Sequence, residues 1–272
     1  MENNGFLSPS LDNFKETIRK QYPEHYDAAI EVNCYAQQLQ YKLDIQKNYT
    51  DTGIQINTDK LLSAILYSRV ISTYQAFLLI SQRGMAQQSK MLLRCIFESL
   101  FPLVAIQKNK DYSQHLIVAD EIDRFKAFNK VIRHRTRQDP NDPSIPEVQA
   151  LADASKKIIE ENGLKKIGVI DNAEKAGLLD WYDTAYSMLS WTVHSSMRSL
   201  QEHLVLDGDK DIHSLKNEPE IEEFDHLYST AIEAVVFAVI AAGTIFDVDI
   251  DAFEKKTQET IAKLGELVLK NG

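Results

Sequence analysis

Cysteine is scarce. The 272 residues hold two, Cys34 and Cys95, far apart and with no CxxC spacing, so neither a disulfide framework nor a Cys-ligated zinc site is expected. Ten Gly and seven Pro are too few for a collagen-like or low-complexity chain. Cations are in deficit: 30 Lys and Arg against 40 Asp and Glu leave −10. That balance argues against indiscriminate coating of DNA but leaves room for a local basic groove. No Walker loop, no GxGxxG after a strand and no GxSxG elbow occurs, which removes the main support for nucleotide-driven or α/β-hydrolase chemistry. The first ten residues are polar and lack an apolar h-region, so no signal peptide is expected and a reducing cytoplasm is the expected home. The apolar stretch Ala234 to Phe246 is 13 residues long, against about 20 needed to cross a bilayer. It is bounded by Glu233, Asp247 and Asp249 without a cationic flank, and reads as a buried core helix with no membrane partner.

What is present is helical periodicity. Ser10 to Asn48 and Tyr112 to Arg137 space their apolar residues near helical intervals, and between them Asp59 to Gln82 and Met85 to Lys108 read as helices apolar over most of their circumference. Pro140, Pro143 and Pro146 end the fourth stretch. Short helices are expected over Glu147 to Asn162 and Val169 to Ala176, a long one over Leu178 to Leu206, and another from Pro219 to Phe246. Asp251 with Glu254 reads as a capping box for the last helix. No stretch alternates like a strand. The expected fold is all-α, a single domain over 1–272 of about seven or eight helices, with 137–178 as a mid-chain insertion or lid.

The Met85–Lys108 helix is apolar nearly all round except at Arg94 and Glu98, four apart on one face. Charges in such a setting require partners, because an uncompensated buried ion costs several kcal/mol. On the long helix, Tyr186, Ser190 and His194 recur at steps of four and offer such groups. The Arg94-x-x-x-Glu98 helix followed by Ser190-x-x-x-His194 resembles a bacterial family of helical proteins of unknown function. That resemblance implies an all-helical fold and assigns no reaction. The quartet Arg94, Glu98, Ser190 and His194 reads either as a polar network fixing helix register or as a binding or catalytic site. Binding or assembly, with self-association through a helical face, is the leading expectation.

Arg198-Ser-Leu-Gln-Glu-His203 has the form Arg-x4-His and resembles the catalytic motif of the HEPN superfamily, helical proteins that include metal-independent ribonucleases. The resemblance implies His203 as proton carrier and Arg198 as phosphate stabiliser on an RNA substrate. With three Arg-to-His spacings allowed, about 0.7 such matches occur by chance in this composition. Lys126, Lys130, Arg133, Arg135 and Arg137 make a basic helix end, either cations placed favourably on the helix dipole or a contact for nucleic acid. Glu223-Phe-Asp-His226 is the one Glu-x-x-His, where helical di-iron sites need two. Asp207-Gly-Asp-Lys-Asp211 has its Gly in the wrong place for a calcium loop. No metal and no cofactor is expected.

Overall fold

Tyr22 and Pro23 divide the N-terminal helical stretch that periodicity alone reads as continuous. The computed structural model describes residues 4–43, 57–109, 111–193, 200–206, 208, 211–216 and 218–271, the side chains of 193 and 266–271 excepted. Helix α1 is Phe14–Gln21 and α2 is Pro23–Lys42. Proline is tolerated at the first position of α2 because the N–H it lacks has no intrahelical acceptor there. Helix α3 is Thr58–Ser81, capped by the Asn57 side chain, which accepts from the Lys60 N–H at 3.1 Å. Then follow α4 (Ala86–Lys108), α5 (Tyr112–Gln138), α6 (Ile145–Glu161) and α7 (Val169–Ala176). Helix α8 covers 179–193, and α9 (Phe224–Phe246) and α10 (Asp251–Asn271) complete the chain. The protein is all-α, with ten helices among the described residues rather than seven or eight. The break at Tyr22–Pro23 and the short mid-chain helices account for the excess.

Helices α2, α3, α4 and α9 pack around one another, and α9 touches the other three and α10. The side chains of Tyr67, Tyr74, Phe77, Phe97, Phe101 and Tyr228 are fully buried there, each contributing about 1.5–3 kcal/mol of transfer free energy. Burial is possible for the tyrosines because their hydroxyls are satisfied. Tyr67 and Tyr74 donate to the carbonyls of Ala36 and Ala29 at 2.8 and 2.9 Å, and Tyr228 meets Ser81 Oγ at 2.9 Å. The 13-residue apolar stretch lies within α9, which as a whole is 23 residues, so helix length alone does not separate it from a membrane span. Both α3 and α9 are long and apolar enough to cross, and 61% of the α9 apolar window is buried against its neighbours.

Three other expectations are corrected. Leu204–Leu206 is not helix but strand β1, antiparallel to β2, Ile212–Leu215, with Leu204 opposite Leu215 and Leu206 opposite Ile212. Leu204–Leu206 and Ile212–Leu215 are separated in sequence by five residues containing Gly208, a hairpin signal that outweighs the helical reading. Pro219 does not open a helix. The Glu220 N–H donates to the Gly84 carbonyl at 2.9 Å, holding this segment on the α3–α4 turn, and α9 begins at Phe224. At α10 Asp251 is the first helical residue rather than the cap that the capping-box reading chose, and its N–H donates to the Asp249 carboxylate at 3.1 Å.

Helices α5 and α6 form an antiparallel hairpin that stands off the core. The 27 residues of α5, about 40 Å, bury only Tyr112 and Ser113, and α6 buries only Ala152 and Ser155. Ser155 Oγ donates to Glu121 Oε2 at 2.8 Å between them. Within 137–178, α6 lies in this hairpin, whereas α7 packs on α4 with Ala173 and Ala176 fully buried. Lys108 Nζ donates to the Ala176 carbonyl at 2.6 Å, and Tyr112 to Asn172 Oδ1 at 3.0 Å.

His25 on α2 is 3% exposed, with Nε2 lacking a hydrogen-bond partner and the ring edge-on to Tyr22. Burial holds its pKa below the ordinary value despite Asp225 and Glu24, which pull it up, while His226 adds to the depression. A depressed histidine contributes stability that is present above the unfolded pKa, about 6.5, and is lost as pH falls through the folded value. Thermal unfolding followed by circular dichroism should therefore show a lower midpoint at about pH 5 than at about pH 7. The difference should shrink in His25→Leu; an unchanged pH dependence in that variant would assign it to other groups.

Candidate functional site

The polar face of α4 is a stripe. Gln87, Lys90, Arg94 and Glu98 follow at steps of three, four and four on a helix otherwise buried in apolar side chains. The stripe faces α8, the turn before β1 and the start of α9. Pro102 lies four residues after Glu98 inside α4. Having no N–H, it leaves the Glu98 carbonyl without its helical donor.

At the C-terminal half of the stripe stands a closed triad. Arg94 Nε donates to Glu98 Oε1 at 3.1 Å, Arg94 Nη2 to the Tyr186 hydroxyl at 3.1 Å, and that hydroxyl to the same Glu98 Oε1 at 3.1 Å. The guanidinium also lies over the Tyr186 ring, 5.1 Å from its centre. The Arg94 side chain is 12% exposed and that of Glu98 35%; Arg94 Nη1 is buried without a partner. Burial raises the Tyr186 pKa, and Glu98 adds to this against the opposing pull of Arg94, so the hydroxyl keeps its proton and can donate. Tyr186 ends a π-helical turn, Tyr182–Tyr186, where Tyr182 and Tyr186 stack at 5.2 Å. Such turns insert one residue and re-aim the side chains beyond them.

Two members of the expected quartet are thus joined, directly and through Tyr186. Ser190, half-buried one turn further on, does not bond to Arg94 or Glu98, and His194 lies outside the described residues. Of the three groups that the steps of four offer, Tyr186 is the one that bonds to this pair among the described residues.

The N-terminal half of the stripe forms a second cluster that the sequence reading missed. Lys90 Nζ lies 3.2 Å from Glu202 Oε2 and 2.7 Å from Glu223 Oε2, and Gln87 Nε2 donates to Glu202 Oε2 at 2.5 Å. Burial favours the neutral form of Lys90, yet its bonds to Glu223 and Glu202 outweigh this and raise its pKa above the ordinary value. Burial likewise opposes charge on Glu202, but Gln87 and Lys90 hold its carboxyl below the usual range. Glu223 adopts left-handed backbone, φ 69°, an unfavourable state for a residue with a side chain. Lys90, Glu202 and Glu223 line a cavity of about 600 Å³ together with Leu93, Ala185, Met188, Leu189, Trp191, Leu227 and His226. The spacing Gln87, Lys90, Arg94, Glu98 was the available signal; the hairpin that delivers Glu202 was not.

Of the Arg-x4-His motif, Arg198 lies outside the described residues, and His203 is exposed in the turn leading into β1, its carbonyl accepting from the Lys216 N–H at 2.8 Å. Lys130, Arg133 and Arg137 are exposed on α5, while Arg135 donates to Ser144 Oγ across the hairpin turn. No hydrogen bond or ion pair joins this basic end to His203 among the described residues. Nor do those residues bring three His, Cys, Asp or Glu together to hold a metal; Asp207, Asp209 and Lys210 of the calcium-like segment are outside them.

A family model matches residues 60–211, more than half of the chain. The chain belongs to the family of unknown function DUF5677. No curated protein and no solved structure matches it. The DUF5677 segment contains Gln87, Lys90, Arg94, Glu98, Tyr186 and Glu202, so the stripe and most of what it meets fall inside the family region, while Glu223 and His226 come from beyond it. Membership agrees with an all-helical family of unknown function; it bears on neither the Ser-x-x-x-His nor the Arg-x4-His motif.

Proposed function

We propose that this DUF5677 protein is a cytoplasmic binding protein rather than a catalyst, and that the cavity beside the α4 stripe receives a small ligand with an apolar body and a cationic head. The observation that carries this is the Lys90–Glu202–Glu223 cluster at the rim of the apolar cavity. About 600 Å³ lies within the usual range for small-molecule sites, which combine apolar walls with a few convergent polar groups. Two carboxylates against one ammonium leave an excess negative charge at the polar end, favouring a cation. The cysteines are unpaired, which suits a reducing compartment. The ribonuclease alternative rests on Arg198 and His203 and has no comparable support, since His203 stands in an exposed turn rather than on a helix.

The test is thermal unfolding with hexylammonium and, in parallel, hexanoate. At about ten times its Kd, hexylammonium should stabilise by about 1.4 kcal/mol, a rise of about 4 °C. Hexanoate should give no rise. Leu189→Trp, which grows into the cavity, should fold and lose the response to hexylammonium. Equal responses to both probes, or an undiminished response in the filled variant, would contradict the proposal.

A further inference from the structure

We propose that the outer face of α5 is a docking surface for the phosphate backbone of duplex DNA. From Arg124 to Arg137 the helix carries six Lys and Arg and no acid. Lys126, Lys130, Arg133 and Arg137 stand at successive steps of four, three and four, which places them on one stripe about 16 Å long. Lys126 pairs with Asp123 at 3.0 Å. Lys130, Arg133 and Arg137 are exposed and make no ion pair among the described residues. Arg135 belongs to a different face, bonded to Ser144 beside Asp142.

Helix-dipole placement does not explain the stripe. That effect fades within the last turn, which here holds Arg135 and Arg137; Lys130 and Arg133 lie further in. Like charges three and four apart weaken a helix, and Lys126 alone of the four has an ion-pair partner among the described residues, Asp123.

The hairpin also removes the stripe from the acidic body. Lys130 is 18 residues beyond Tyr112, about 27 Å along the axis, against a screening length of about 10 Å at 0.1 M salt. The overall charge of −10 therefore does not cancel the local field. Single strands are held largely by stacking on aromatic rings, and no stripe position is aromatic. An α-helix fits the major groove of B-DNA, about 12 Å wide, but not the deep narrow groove of A-form RNA. Those differences select duplex DNA.

The experiment is fluorescence anisotropy of a labelled DNA duplex of about 30 bp titrated with the full-length protein at about 50 and 200 mM NaCl. Three phosphate contacts predict an affinity about 40-fold lower at the higher salt. Lys130→Gln/Arg133→Gln/Arg137→Gln should weaken binding at least about 10-fold with its helical circular dichroism intact. Lys156→Gln/Lys157→Gln on α6 should leave binding unchanged. Absence of binding at the lower salt, equal loss from the α6 pair, or tighter binding of a duplex RNA of the same length would overturn the proposal.

Discussion

Gly84→Ala is expected to destabilise the protein by about 3 kcal/mol and to lower its melting midpoint by about 8 °C in circular dichroism. Gly84 turns α3 into α4 at φ +70°, and a Cβ there would lie 2.6 Å from Pro219 Cβ, 2.7 Å from Phe14 Cε1 and 2.9 Å from the Glu220 carbonyl oxygen. Two of these neighbours belong to a single backbone segment, so neither can give way independently. Left-handed backbone alone costs an alanine about 1–2 kcal/mol; forced displacement of packed neighbours adds the rest. Gly163→Ala separates the two contributions. Gly163 has φ +57° but nothing within 4 Å of a built Cβ, so its replacement should lose only the backbone cost.

The substitution should reach the cavity as well. The segment pressed onto Gly84 leads within three residues to Glu223, whose carboxylate meets Lys90 at 2.7 Å. Pushing that segment outward separates the pair. Gly84→Ala should therefore also blunt the response to hexylammonium, while Gly163→Ala retains it. Equal losses of stability in the two variants would show that the close approach contributes nothing.

How much of this was legible beforehand depends on whether the signal was local. The apolar pattern, with the Gly and Pro that interrupt it, located α3 through α7 closely, because both signals are local. The break at Pro23 was encoded in a residue type but overridden by the continuous pattern on either side. The β-hairpin was lost for a related reason: Leu204 to Leu206 is too short a run to show alternation against the long helix preceding it. Arg94 and Glu98 stood out because charge is expensive within an apolar helix. Lys90 obeys the same rule but sits nearer the helix end, where a lysine can be read as solvated. Its partners, Glu202 and Glu223, come from more than 100 residues away, and no spacing rule joins residues whose proximity is set by packing α8 and α9 on α4. Helical spacing offers Tyr186 alongside Ser190, but that Tyr186 is the one to reach Arg94 follows a π-turn, which periodicity of 3.6 does not anticipate.

Glu98→Ala should cost about 2 kcal/mol, whereas Arg94→Met should stay within about 1 kcal/mol of the parent or exceed it. Breaking a buried ion pair from one side usually costs about 3–5 kcal/mol, because the remaining charge is left desolvated. Glu98 is 35% exposed, so water screens part of that loss and the smaller figure applies. The asymmetry follows from which charge is stranded. Without Glu98, Arg94 at 12% exposure retains only the Tyr186 hydroxyl, with Nη1 already lacking a partner. Without Arg94, Glu98 keeps the Tyr186 hydroxyl as donor at 3.1 Å and its own access to water. Met fills the apolar space left by the guanidinium stem and strands nothing. Arg94→Met/Glu98→Ala should consequently recover most of what Glu98→Ala loses, giving a coupling of about 1–2 kcal/mol in a double-mutant cycle read by urea denaturation. Such recovery would assign the triad a structural role subordinate to the neighbouring cavity, provided Arg94→Met also retains the hexylammonium response. Additive losses in the double variant would mean that Arg94 and Glu98 act independently, and loss of the probe response in a stable Arg94→Met protein would move the guanidinium from scaffold to binding site.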